Sequence, residues 1–234
     1  MSSLLDNDAL ERSSVVANSL MNRERRCIGD NSYQKELSFD GLAFLKSRTK
    51  RQEDVAWLDL CCGTGKALIE GAQILSAERS ANQLTLVGVD LVPMFDSRPS
   101  ELGFLHLVEG SLASWQPERS FDLITCVHGL HYIGDKLDLI RRAASWLKAD
   151  GVFLAHLDPA NLKFSSGKPA GKRLISDLKD HGFDYRARKH LLVCSGRKAF
   201  KLGHEFVGAD DGAGPNYTRQ AAVDSYYRAG TDDA

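Results

Sequence analysis

The sequence lacks the cysteine pattern of a disulfide-bonded protein. Its cysteines are Cys27, Cys61, Cys62, Cys126 and Cys194, an odd number that includes no Cys-x-x-Cys pair. An odd count provides no disulfide framework, and four of the five lie in or beside apolar runs, where a free thiol behaves as a small hydrophobic group. We therefore predict reduced structural cysteines, a reducing compartment and no metal site.

A strong charge of one sign and a long apolar run are also missing. The chain has 30 basic and 31 acidic residues, a formal net charge of −1, so no overall field attracts it to nucleic acid or anionic lipid. No apolar run approaches the roughly 18 residues that a membrane helix needs. The start, MSSLLDNDAL, has no basic region followed by an apolar stretch. We expect a cytoplasmic monomer or homodimer without nucleic-acid or membrane partners.

Short, nearly continuous apolar runs alternate with helical patterns through the middle of the sequence. Such runs are typical of strands covered on both faces in a parallel sheet. We predict strands at Val55–Leu60, Leu84–Asp90, Phe104–Val108, Phe121–Val127 and Val152–Leu157, and helices at Lys66–Ala77, Lys136–Leu147 and Lys172–His181. This alternation predicts an α/β fold with a doubly wound, mostly parallel sheet.

The region before the first predicted strand is interpreted as a cap. Two helices are expected there, at Leu4–Arg25 and Tyr33–Arg48, with Asn31 or Ser32 as a cap for the second. Helices in this position often cover the ligand cleft of such a fold. Residues 1–50 are therefore predicted to form an N-terminal helical lid.

The region after the third predicted helix differs again. Arg188–Cys194 and Lys201–Val207 are separated by a short connection, which suits an antiparallel hairpin at one edge of the sheet. We assign residues 51–208 to the α/β domain and residues 209–234 to a tail. Tyrosines in this polar tail, including Tyr217, predict that it packs on or near the cleft.

A glycine-rich loop follows the first predicted strand directly. In Asp59-Leu-Cys-Cys-Gly63-Thr-Gly65-Lys66 the glycines let a ligand approach the backbone, and the next helix presents free amides. A Walker A loop is excluded, because Leu60 stands where its first glycine is required and Ala67 follows the lysine. A dinucleotide loop is disfavoured, because Leu68 occupies the position of its third small residue.

The spacing of Asp59, Gly63 and Gly65 resembles the acidic–hydrophobic–x–x–Gly–x–Gly motif of class I methyltransferases, which use S-adenosylmethionine (SAM). Asp90 ends the second predicted strand, where such a fold binds ribose hydroxyls with a carboxylate. At the third strand the family usually has an acidic residue that reaches the adenine amino group. This sequence has Ser111 there, which can still accept a hydrogen bond.

Two further segments carry the resemblance, which covers about residues 52–160. Phe121–Tyr132 resembles the family's segment beside the reactive methyl group, and Leu147–Leu154 resembles its entry to the fifth strand. The resemblance implies a seven-stranded sheet with SAM as the cofactor. It implies cofactor contacts at Tyr33, Asp59, Cys61, Gly63, Gly65, Asp90, Leu91, Ser111, Leu112 and His128.

Methyl transfer from a sulfonium mainly requires that donor and acceptor are aligned and water is excluded. If the acceptor needs a base, His128 and His131 are the catalytic candidates, although either can be a structural histidine. Asp158 and Tyr217 are candidate substrate contacts, although Asp158 can simply begin a turn. Tyr33 can face the sulfonium with its ring, bind the SAM carboxylate through its hydroxyl, or pack in the core.

Three functions remain open at this point. Methyl transfer to a small-molecule acceptor, in specialised metabolism, is preferred, because no Asn/Asp-Pro-Pro-Tyr segment and no RNA-binding module is visible. A cyclase or lyase would instead attack the aminocarboxypropyl chain of SAM, releasing methylthioadenosine and an azetidine carboxylate. A non-catalytic SAM-fold subunit is the third, and the intact Asp59, Gly63, Gly65 and Asp90 argue against it.

Overall fold

A computed structural model describes residues 4–17, 24–49, 54–77 and 83–229. Its strands are β1 (Val55–Leu60), β2 (Leu84–Asp90), β3 (Leu105–Glu109), β4 (Phe121–Cys126), β5 (Leu147–His156), β6 (Leu162–Phe164), β7 (Phe183–Arg186), β8 (Leu191–Ser195), β9 (His204–Asp210) and β10 (Asp224–Ala229). Seven of them form the main sheet, in the order β3-β2-β1-β4-β5-β8-β7. The first five pair in parallel, and β8 runs antiparallel to both of its neighbours. The predicted fold class is confirmed.

The central strands explain where the cleft lies. Every residue of β1 and β4 is buried, as expected for strands covered on both faces. Because β1 to β4 run parallel, their carboxyl ends meet at one edge of the sheet. Ligands of open α/β sheets bind at this edge.

Helices cover both faces of the sheet. They are α1 (Asn7–Glu11), α2 (Tyr33–Leu37), α3 (Gly41–Thr49), α4 (Lys66–Ser76), α5 (Lys136–Ser145) and α6 (Gly171–Asp180). Leu45 of α3 and Leu68 of α4 belong to the core on one face, and Ile140 of α5 and Leu174 of α6 to the core on the other. Within the described ranges, no helix has the length and apolarity needed to cross a membrane.

The N-terminal cap is less helical than predicted. The single helix Leu4–Arg25 is wrong: α1 has five residues, turns follow it to residue 17, and residues 18–23 lie outside the described ranges. The single helix Tyr33–Arg48 is also wrong, because Ser38 adopts a left-handed φ of 46° and ends α2. A second helix then starts, with the Asp40 carboxylate accepting a hydrogen bond from the Ala43 amide at 2.8 Å.

The predicted hairpin at the sheet edge is wrong in its pairing. The residues of Arg188–Cys194 contribute to β8, which lies between β5 and β7. The residues of Lys201–Val207 lead into β9, which belongs to a separate three-stranded sheet in the order β6-β10-β9. The predicted boundary at residue 208 falls inside β9, and the division into three regions stays a prediction.

A buried lysine holds the start of β10 in place. The Lys136 ammonium, fully buried at the start of α5, donates hydrogen bonds of 2.8 Å to the Val223 carbonyl and the Ser225 hydroxyl. Leu10 of α1 packs with Ala209 of β9 and with Val223, the residue just before β10. The N-terminal and C-terminal segments therefore meet each other beside the main sheet.

Candidate active site

A cleft of about 1120 Å³, including its open mouth, lies at the carboxyl ends of β1 to β4. Four of the residues that line it follow these strands in turn: Cys61, Asp90, Leu112 and His128. Its wall combines apolar side chains with a few polar groups, as small-molecule sites usually do. The cleft therefore lies at the edge of the sheet where the sequence predicts the ligand site.

Both glycines of the glycine loop adopt a left-handed conformation, as does Cys61 before them. Gly63 has a φ of 60° and Gly65 a φ of 78°, a region that favours glycine. A Cβ atom on Gly65 would lie 2.8 Å from the methyl carbons of Leu107, so a larger residue does not fit there. Gly63 lines the cleft, whereas Gly65 starts α4 behind it.

Asp90 is held in place by the backbone. One carboxylate oxygen accepts a hydrogen bond from the Gly63 amide at 2.8 Å, and the other accepts from the Val92 amide at 3.0 Å. A carboxylate oxygen has a further lone pair, so both can still accept from vicinal hydroxyls. Leu91 and Leu112 form an apolar part of the cleft wall beside Asp90. This combination fits a nucleoside, with the carboxylate at the ribose and the leucines at the base.

Asp59 does not line the cleft. Its carboxylate is fully buried and accepts hydrogen bonds from the Tyr33 hydroxyl at 2.7 Å and the Thr125 hydroxyl at 2.6 Å. Burial raises the pKa of Asp59 to about 7. The Tyr33 ring does line the cleft, but its hydroxyl donates to Asp59 and not to a ligand carboxylate. Asp59 therefore positions Tyr33. Because the hydroxyl is occupied, Tyr33 can contact a cationic ligand only through the face of its ring.

The Ser111 side chain is hydrogen-bonded to the N-terminal cap. Its hydroxyl donates to a carboxylate oxygen of Glu11 at 2.6 Å and accepts from the Ala113 amide at 3.1 Å. Ser111 is absent from the cleft wall, whereas Glu11 and Leu10 of α1 form part of it. Sequence reasoning missed Glu11, since nothing in its neighbourhood indicates that it meets the end of β3.

His128 stands between the cleft and a second group of polar side chains. It lines the cleft with a left-handed φ of 61°. Its Nε2 lies 3.2 Å from a Glu36 carboxylate oxygen, and its Nδ1 lies 3.3 Å from the Tyr217 hydroxyl. The His156 ring stacks on it at 4.1 Å, with 3° between the planes. We call this group, Glu36, His128, His156 and Tyr217, the histidine pocket.

The charges in the histidine pocket follow from burial and hydrogen bonding. The hydrogen bond from His128, with the nearby charge of Arg25, lowers the pKa of Glu36 to about 2, so this carboxylate is ionised. Burial lowers the pKa of His156 to about 3. The His156 ring is therefore neutral at physiological pH. Glu36 and His156 were not predicted, because they lie far from His128 in the sequence.

His131 and Asp158 have other environments. The His131 ring lies 5.8 Å from that of His128, and burial lowers its pKa to about 2, which makes it a weak proton acceptor. Asp158 begins a turn by accepting from the Ala160 amide, and its other oxygen accepts from the Tyr217 amide at 3.0 Å. It therefore holds Tyr217 in place, while the Tyr217 ring stacks on His190 at 3.9 Å.

The sequence itself decides the family. Residues 31–190 match the family described as "Methyltransferase domain", which is more than half of the chain. The chain belongs to this family. The matched methyltransferase domain begins just before α2 and ends just before β8, so it contains the glycine loop, Asp90 and the histidines described above. SAM is the cofactor of this domain, and the fit of the cleft agrees with it.

Several solved structures resemble the methyltransferase domain. One is YjhP from E. coli, which is 18% identical over 74% of this chain and 71% of that chain, with a TM-score of 0.42. Another is the sugar N-methyltransferase KedS8 from Streptoalloteichus sp. ATCC 53650, which is 22% identical over 49% of this chain and 46% of that chain, with a TM-score of 0.36. A third is the plantazolicin methyltransferase BpumL, in complex with SAH and a desmethylPZN analogue. It is 13% identical over 49% of this chain and 43% of that chain, with a TM-score of 0.37. This chain thus spans less than half the length of BpumL. No curated protein matches the sequence.

Of the predicted cofactor contacts, seven line the cleft of the methyltransferase domain: Tyr33, Cys61, Gly63, Asp90, Leu91, Leu112 and His128. Asp59, Gly65 and Ser111 lie behind the wall and shape it. The predicted substrate residues Asp158 and Tyr217 lie on the far side of His128, with Tyr217 in contact with its ring nitrogen. The individual roles of these residues stay predictions.

Proposed function

We propose that this chain transfers the methyl group of SAM to a small-molecule acceptor that binds against the histidine pocket, at the part of the cleft wall that His128 forms. The observation that carries the proposal is the position of His128, which lines the cofactor cleft and contacts Glu36 and Tyr217 on its other side. Polar side chains that reach the wall of the cofactor cleft through His128 suit a second substrate. A reaction of SAM with its own side chain needs no such pocket.

The chemistry consists of one displacement. SAM supplies a methyl group on a positively charged sulfur; the carbon–sulfur bond breaks as the bond to the acceptor heteroatom forms, and a hydroxyl or protonated amine acceptor also loses a proton. The leaving thioether is neutral, so the protein chiefly aligns the reactants and excludes water. Asp90 and the leucine wall hold the nucleoside, and the Tyr33 ring offers the cationic end a π-face.

The closed surroundings support a small acceptor over a macromolecule. The cap contributes Glu36 and the C-terminal segment contributes Tyr217, so both terminal regions wall the pocket. We further propose an intracellular enzyme of specialised metabolism, working as a monomer or homodimer; the five free cysteines, four of them buried, fit a reducing compartment.

The test is to incubate the purified protein with SAM alone and to follow every adenosyl product by liquid chromatography and mass spectrometry. We expect SAM to be retained intact, and Asp90→Ala to weaken its binding by roughly tenfold or more, as the loss of a charge-assisted hydrogen-bonding group implies. Asp96→Ala, an exposed acid just beyond β2, is the matched control. Accumulating methylthioadenosine would show a cyclase or lyase instead, and failure to retain any adenosyl compound would contradict the cofactor assignment in this chain.

A further inference from the structure

The histidine pocket contains a metal-ligand set that the sequence did not predict. Glu36, His128 and His156 each present one ligand atom, and these three atoms lie within 4.8 Å of one another. They come from α2, from the loop after β4 and from the end of β5. Two imidazoles and one carboxylate, with further positions left open, form a set that proteins use for divalent transition metals.

The spacing is already close to that of a bound ion. An ion about 2.0–2.2 Å from each ligand atom would place those atoms roughly 3.3 Å apart. His128 Nε2 and the Glu36 oxygen are separated by 3.2 Å, which meets this requirement as it stands. The His156 ring is stacked parallel to the His128 ring, with 4.1 Å between the centroids. An imidazole binds a metal in its own plane, so His156 has to rotate out of this stack to direct its nitrogen at an ion held by His128 and Glu36.

The hydrogen bonding of the pocket is incomplete without a further group. His156 is 2% exposed, and among the residues that the structure describes its Nδ1 has no hydrogen-bond partner. A buried polar atom without a partner costs free energy and is rare in native proteins. The second oxygen of Glu36 lies 3.5 Å from the Arg25 guanidinium. Arg25 therefore orients the Glu36 carboxylate from outside the ligand set. Its positive charge also repels a bound metal ion and reduces the affinity of the site to some extent.

We propose that Glu36, His128 and His156 bind one divalent transition-metal ion of the Zn²⁺, Co²⁺ or Mn²⁺ class beside the cofactor cleft. Two nitrogen ligands select against Mg²⁺ and Ca²⁺, which prefer oxygen. The residues themselves carry this site, whatever reaction the protein catalyses. Its role rests on the proposed function: an acceptor oxygen on the open side of the ion lies next to the cleft, and metal coordination lowers the pKa of a bound hydroxyl. The ion then replaces His128 as the activating group.

The experiment uses the full chain, stripped with a chelator and titrated with Co²⁺, whose visible absorption reports its ligands. We expect saturable binding of one equivalent, displacement by Zn²⁺ and no competition by Mg²⁺. Glu36→Gln and His156→Ala are each expected to weaken binding by roughly 100-fold or more, since even residues that only orient metal ligands are worth about 10–100-fold. His106→Ala, an exposed histidine on β3, is the matched control and should bind as the unaltered protein does.

Thermal unfolding of each variant without metal confirms that it is folded, and the conservative Glu36→Gln keeps the test valid if the histidine variant unfolds. No uptake of Co²⁺ by the unaltered protein overturns the proposal. Binding that both variants retain overturns it as well, because it indicates an adventitious ion only. SAM binding by the same samples is measured separately, so the loss of the metal site and the loss of the cofactor assignment are distinguishable.

Discussion

The hydroxyl of Tyr217 lies 3.3 Å from Nδ1 of His128, which itself lines the cofactor cleft. A residue between β9 and β10 therefore contacts the one predicted catalytic residue on the cleft wall. The Tyr217 ring is fixed from the other side by its stacking on His190. This contact joins the C-terminal segment to the place where we propose that the methyl group is transferred.

Tyr217→Phe removes the hydroxyl and keeps the ring. We expect turnover of an acceptor found by screening to fall by about tenfold or more, because the hydroxyl that orients His128 is lost, whether His128 acts as a base or as a metal ligand. SAM affinity, measured by calorimetry, should stay within about twofold, since Tyr217 is not part of the cleft wall. Tyr226→Phe, which removes a hydroxyl from β10, is the control; equal losses in both variants would contradict a specific role for Tyr217.

Glu11 is expected to replace the acidic residue that the family usually has after β3. Its carboxylate lines the cleft and is fixed by the Ser111 hydroxyl. Glu11→Gln should weaken SAM binding by about fivefold, which corresponds to the loss of roughly 1 kcal/mol from a charge-assisted hydrogen bond. The matched control is Asp8→Asn, an exposed acid in the same helix. If Glu11→Gln binds SAM as tightly as Asp8→Asn does, α1 does not contact the cofactor.

The stability of the protein should depend on pH through Asp59. Its pKa is raised from 3.8 to about 7 in the folded protein, so the folded state binds more protons than the unfolded state between these values. The free energy of unfolding therefore falls as the pH rises through this window, by at most about 1.4 kcal/mol per pH unit from this group. Asp59→Asn cannot titrate and should lack this component. Urea denaturation across the window measures both proteins, and parallel pH profiles would refute the assignment.

Lys136 should be essential for docking the C-terminal strand. Lys136→Met leaves the Val223 carbonyl and the Ser225 hydroxyl without their buried donor. We expect a loss of about 2–4 kcal/mol in the free energy of unfolding, measured in urea. Lys35→Met, at an exposed position of α2, should leave it nearly unchanged. Similar losses in the two variants would show that the buried contacts of Lys136 do not stabilise the fold.

The main sheet was predictable because its strands carry the signal in their own residues. In β1 and β4 nearly every side chain is apolar and every position is buried, so the strands are visible without knowledge of their neighbours. The position of Asp90 at the end of β2 was equally readable, since the strand ends at the cleft edge. Local pattern and tertiary structure agree there.

The remaining errors occur where a distant partner determines the structure. The polar β10 is a strand because β6 and β9 pair with it, and its sequence shows little more than Tyr226 and Tyr227. The long helix predicted at Tyr33–Arg48 ignored the break at Ser38, a left-handed residue whose hydroxyl accepts a hydrogen bond from the distant Lys189 ammonium. The histidine pocket needed four separate segments to come together, and no spacing in the sequence indicates that.

The placement of Tyr217 divides the enzyme into parts that can change at different rates. Most of the groups expected to hold the nucleoside lie on the main sheet and its first loops. The segment between β9 and β10 is anchored at its base by Lys136, contacts His128 through Tyr217 and adds Gln220 to the cleft wall. Replacing that segment alters the acceptor side while the cofactor floor keeps its own core. Acceptor preference can therefore diverge, or be redesigned, through this single connection, as long as Gln220 keeps its place in the wall of the cofactor cleft.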